Sequence, residues 1–75
     1  MNKQRLGEIK KIIDNVNECK GDLDDVMADE QIAFDNMPEN LQLSSNGERS
    51  EEAIDILDNA VEKLDEVVEL LNTIY

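Results

Sequence analysis

Carboxylates are the one chemically active group that this chain carries in quantity. Nineteen of its 75 residues are Asp or Glu, seven are Lys or Arg, and there is no His. Carboxylates can move protons, hold a divalent cation, or present a negative field to a basic partner. An acyl-transfer or general-base constellation cannot be assembled from these residues with any specificity. The lone Cys19 rules out a disulfide framework. It falls on an apolar stripe rather than next to a base, which reads as a small core residue kept reduced in a cytosol. No catalytic residue is assigned, and a non-enzymatic protein is expected.

Two acidic clusters raise the question of metal. One is Asp22, Asp24, Asp25 and Asp29; the other is Glu62, Asp65, Glu66 and Glu69. A calcium loop alternates oxygen ligands around a glycine turn, and Asp22-Leu23-Asp24-Asp25 lacks that frame. Di-iron bundles use Glu-x-x-His pairs, which a chain without His cannot supply. The acids lie off the apolar stripes, as a solvated face does. Neither a metal site nor a cofactor is expected.

The acids have a sharper use as a ribbon of charge. Glu51, Glu52, Asp55, Asp58, Glu62, Asp65, Glu66 and Glu69 recur at helical spacing. Such a ribbon is a candidate partner surface, able to occupy a basic groove built for nucleic acid and to speed the encounter by steering. Ordinary solubility of a helical bundle accounts for the same residues. A weaker candidate is an anion site at Ser45, Gly47 and Arg49, with Lys10 and Lys11 as further cations. Exposed amides at a helix start plus an Arg can hold a phosphate, although plain N-capping explains the serines and Glu48, Glu51 and Glu52 oppose an anion.

Helices must position all of these groups. From Leu6, steps of three and four reach Leu6, Ile9, Ile13, Val16, Lys20, Leu23, Met27, Glu30, Phe34 and Met37, an a/d seam with two polar interruptions. Ile12, Cys19, Val26 and Ala33 add a g register. The C-terminal third repeats the design, with Ile54, Leu57, Val61, Leu64, Val68, Leu71 and Tyr75 at a and d, and Ala53, Ala60, Val67 and Ile74 at g. Helix one is expected over about 3–36, continuous through Gly7 and Gly21, with a kink near Gly21-Asp22 as the alternative. Pro38 ends it. A loop follows over about 37–49, and helix two over about 50–74. Ser45 with Glu48 reads as a capping box for helix two, and Ser50 is the alternative start. Leu41 and Leu43 are expected to tuck over the end of the hairpin.

The expected fold is therefore all-α, a single helical domain over 1–75 built as a two-helix antiparallel hairpin with a/d/g faces. An extended single helix is the alternative topology. The core residues are Leu6, Ile9, Ile13, Val16, Leu23, Met27, Phe34, Ile54, Leu57, Val61, Leu64, Val68 and Leu71. A hairpin this short buries little, and its g residues stay exposed. Pairing two hairpins into a four-helix bundle, or a larger oligomer, would bury all three registers. The chain itself is thus the first expected partner.

Net charge divides unevenly along this design. Residues 1–20 carry +2 and residues 21–75 carry −14, making −12 in total. An antiparallel hairpin sets the basic start of helix one beside Glu62, Asp65, Glu66 and Glu69. The acidic remainder repels a polyanion, so direct nucleic-acid binding is not expected. No apolar run approaches the roughly 18 residues of a membrane span, and the opening residues do not read as a signal peptide. High charge with 3% aromatics is also the signature of disorder, but the 40% apolar residues are periodic and can be buried together.

Phe34-Asp35-Asn36-Met37-Pro38-Glu39-Asn40-Leu41-Gln42, followed by Ser45 and Gly47-Glu48-Arg49-Ser50-Glu51-Glu52-Ala53-Ile54, resembles the small acidic proteins of bacterial phages and prophages. In those, an Asn-x-Pro-Glu-Asn-Leu-Gln turn joins two long helices. The likeness spans roughly residues 28–75. It implies a protein made by a mobile element in the bacterial cytoplasm that binds a host or defence protein. Two other functions fit the same features. One is an assembly adaptor whose oligomerisation is the function; the other is a sequestering protein for a small anionic signalling nucleotide.

Overall fold

Asn2 starts the first helix by accepting the Arg5 N–H on its side-chain oxygen at 2.9 Å. In the computed structural model, which describes residues 1–75, that helix, α1, runs unbroken over Lys3–Asp35. At 1.5 Å per residue its 33 residues span about 50 Å. A short turn of helix, α2, covers Glu39–Gln42, and the second long helix, α3, covers Ser45–Asn72. There is no strand. α1 and α3 pack along each other in a body 58 × 15 × 12 Å.

The two helices run antiparallel. Lys20 is ion-paired with Asp65, and the Ser50 hydroxyl donates to the Glu30 carboxylate at 2.6 Å. At the open end the Tyr75 hydroxyl donates to the Leu6 carbonyl, also at 2.6 Å. Gly21 does not break α1, since a glycine costs only about 1 kcal/mol there and 33 residues of helix packed on α3 outweigh it.

Along the seam Ile13 is buried, and Leu6, Ile9, Val16, Leu23, Met27 and Phe34 are partly buried. From α3 they meet Ile54, Leu57, Val61, Leu64, Val68 and Leu71, which are partly buried as well. Only Ile13, Gly47 and Ser50 are buried in the whole chain. A pair of helices can shield one stripe of each and nothing more, so this core is thin.

The connection departs from the expected loop in three respects. First, α3 begins at Ser45, with Ser44 as its cap. The Ser44 hydroxyl accepts the Gly47 N–H at 3.5 Å and donates to the Leu41 carbonyl. Glu48 then lies one position too far along to close a capping box with the cap Ser44, and Ser50 is interior to the helix. Second, Leu41 and Leu43 do not tuck in; Leu43 is 79% exposed. The end of α1 leaves carbonyls that need donors, which a leucine cannot supply. Gln42 supplies them: its amide donates to Phe34 O at 3.1 Å and to Met37 O at 3.3 Å. Turning Gln42 inward turns its two neighbours out. Third, residues 37–49 are not all loop, because Pro38 starts α2 and its carbonyl accepts from Leu41 and Gln42.

Candidate interaction surface

α3 separates two kinds of surface by helical position. Glu51, Glu52, Asp55, Asp58, Glu62, Asp65, Glu66 and Glu69 are all exposed. On a wheel of 3.6 residues per turn they share one arc of about 140°, beginning beside the seam and extending outward. Ile56, Val67, Leu70 and Ile74 occupy the other exposed arc, and each keeps at least 40% of its surface open. The helix therefore shows solvent an acidic side and an apolar side.

Few cations reach the acidic arc. Lys20 pairs with Asp65 across the hairpin, and Lys63 lies 3.6 Å from Glu66 one turn away in α3. These are the two ion pairs of the chain. The other six carboxylates have no cation within 4.0 Å, and neither Lys3, Arg5, Lys10 nor Lys11 reaches an acid. The basic start of α1 thus meets α3 through Lys20 alone, while Lys10 lines a groove with Ile13, Asp14, Asn17, Asn72 and Tyr75. Exposed pairs of this kind contribute about 0–1 kcal/mol, so they orient the helices more than they hold them.

The polar flank of the seam continues this charge. A second groove is lined by Gln31, Phe34, Glu51, Ile54 and Asp55. Lys10, Asn17 and Gln31 of α1 therefore share a flank with Glu51, Asp65 and Asn72 of α3. The acidic arc adjoins this flank, where Phe34 and Ile54 also line the groove.

The residues of the anion candidate are not brought together within one chain. Arg49 stands at the turn end, whereas Lys10 and Lys11 stand near Asn72 at the open end, about 35 Å away by helical rise. Gly47 is buried, and its N–H is engaged by Ser44. Its role is close packing: a Cβ there would sit 2.7 Å from Gln42 Cα and closer still to the Gln42 carbonyl group. Ser45 and Arg49 are exposed.

Cys19 is exposed, not a core residue. Its register lies beside the line of residues that face α3, so the hairpin alone does not cover it. Cys, Asp and Glu side chains nowhere gather in threes able to hold a metal ion, and no helix is long and apolar enough to cross a membrane.

Several of the residues that shape this surface escape a reading of the apolar pattern alone. Extending the three-four stepping backward from Ile54 reaches Ser50 and Gly47, both buried, which would have placed them in the seam. Gln42 has no comparable signal, because its contacts are to carbonyls of the backbone. Compared with protein-family models, curated proteins and solved structures, the chain shows no match.

Proposed function

We propose that this chain is a non-enzymatic interaction protein of phage or prophage type. It acts in the bacterial cytoplasm by binding a host or defence protein, which it inhibits or redirects. The a/d residues form the hairpin seam, the g residues serve association into a homodimer or larger bundle, and the acidic arc of α3 meets the partner. The observation that carries this reading is the exposure of eight carboxylates along one arc, six of them without a cation in contact. A rigid rod bearing such an arc offers a basic groove the charge spacing of a polyanion, with a field that accelerates the encounter.

The test is affinity capture from bacterial lysate with the native protein and a Glu62→Lys/Glu66→Lys variant, eluted in a salt series. A partner retained by the native protein, lost to the variant and released by salt supports the reading. Capture indifferent to both changes would sink it. A second reading, an assembly adaptor in which oligomerisation is itself the function, is favoured by the apolar arc of Ile56, Val67, Leu70 and Ile74.

A further inference from the structure

Eight small or apolar residues are spaced for burial yet lie beside the seam, and all but the partly buried Ala53 and Ala60 are exposed. In α1 they are Ile12, Cys19, Val26 and Ala33, and in α3 they are Ala53, Ala60, Val67 and Ile74, seven residues apart in both. Ile12 is 51% exposed, Val26 55%, Val67 40% and Ile74 42%. A seven-residue spacing drifts only about 20° per step around a helix, so each set forms a line. Both lines lie on the Glu30–Ser50 side of the seam, opposite the polar flank where Lys20 meets Asp65. In an antiparallel pair they therefore share one flank, with Ile12 level with Ile74, Cys19 with Val67, Val26 with Ala60, and Ala33 with Ala53.

This flank tapers. It carries two isoleucines at the open end, one valine in each middle level, and two alanines at the turn end. We infer that it seats a second copy of the chain laid end for end, about a two-fold axis crossing α1 between Asp22 and Leu23 and α3 between Lys63 and Leu64. The inference rests on the oligomeric part of the reading above.

In this arrangement every contact sets a large residue on a small one. Ile12 meets the partner's Ala33, Cys19 the partner's Val26, Ala60 the partner's Val67, and Ala53 the partner's Ile74. The interface is isologous, so each contact occurs twice. Stacking with both turns at the same end would instead set isoleucine on isoleucine and alanine on alanine, crowding one end and leaving a void at the other. Charge along α1 favours the same choice. Residues 1–20 of α1, at +2, lie along residues 21–36 of the partner's α1, at −6. Same-end stacking would lay that −6 segment against the partner's Glu51, Glu52, Asp55 and Asp58.

The experiment uses the full chain as Cys19→Ala/Asn46→Cys, spin-labelled at exposed position 46 beside the turn. Sedimentation at micromolar concentration gives the assembly state, and pulsed dipolar spectroscopy gives the separation of labels. A dimer with labels roughly 50 Å apart is expected from the helical rise. A separation on the order of 20 Å, two bundle neighbours apart, overturns the end-for-end arrangement and leaves the oligomeric reading standing. A folded monomer overturns both. Ala33→Glu, on an exposed position, should keep the helical content and weaken the dimer at least roughly tenfold by setting a carboxylate against Ile12 of the partner subunit. Unchanged dimerisation by that variant would also overturn the inference.

Discussion

The Ser50 hydroxyl donates to the Glu30 carboxylate at 2.6 Å, and this bond joins α3 to α1 near the turn. Ser50 is 6% exposed, and both residues occupy seam positions where an apolar side chain would be expected. Glu30 and Lys20 are the two polar interruptions of the α1 stripe, and each finds its partner on α3, Lys20 through Asp65. The interruptions are thus points of attachment that fix the register of one helix on the other. A shift of one helix along the other would strand both groups in the seam.

Removing one side of the Glu30–Ser50 bond should cost more than removing both. Ser50→Ala leaves a part-buried carboxylate without its donor, and a loss of about 1–3 kcal/mol is expected. The double variant Glu30→Leu/Ser50→Ala replaces both with apolar groups and should be near neutral or more stable. Denaturant melts of the single and double variants check this, and additive losses would refute the pairing.

The three glycines should respond in opposite directions. Gly7 and Gly21 have open space where a Cβ would go, so Gly7→Ala and Gly21→Ala should each stabilise by up to about 1 kcal/mol. Gly47→Ala drives a methyl into the backbone of Gln42 and should destabilise by about 1–3 kcal/mol. Each kcal/mol moves the melting temperature of a domain this size by roughly 4–8 °C. A thermal melt therefore separates the two outcomes.

Gln42 should prove to be the residue that closes the turn. Gln42→Leu keeps the bulk and removes the donors to Phe34 O and Met37 O. A loss of about 1 kcal/mol is expected, with faster amide exchange confined to the end of α1 and to α2. Leu43→Gln, at the outward neighbour, should leave stability within about 0.5 kcal/mol of the native protein.

Seam and acidic arc should separate cleanly by mutation. Leu64→Asp puts a charge among the partly buried residues between α1 and α3, and circular dichroism should show the helices lost. Glu66→Lys lies on the exposed arc and should leave the spectrum unchanged. A folded Leu64→Asp variant would mean that Leu64 is not a seam residue.

Self-repulsion of a chain at −12 should also be measurable. Added sodium chloride screens the carboxylates that have no cation in contact, so the melting temperature should rise between about 10 and 200 mM salt. A melting temperature that falls instead would show that the Lys20–Asp65 and Lys63–Glu66 pairs outweigh the repulsion.

The helices were legible in the amino-acid pattern because their information is local. Apolar residues at steps of three and four, Pro38 after Met37 and the serines before Gly47 are read within a few turns of one another. The unequal charge of the two ends is likewise a property of composition, and the exposure of the acids on α3 follows from their distance around the helix from Ile54 and Leu57. What the tertiary structure alone decided are the relations between residues far apart in the chain. Glu30 finds Ser50, Lys20 finds Asp65, Gln42 turns back to Phe34, and Gly47 lies against Gln42. A periodicity shows which side of a helix is buried but carries no record of the level at which its partner stands. That level is set at the turn, where the cap at Ser44 and the contact at Gly47 fix where α3 begins, and along the seam, where Glu30–Ser50 and Lys20–Asp65 tie the two helices.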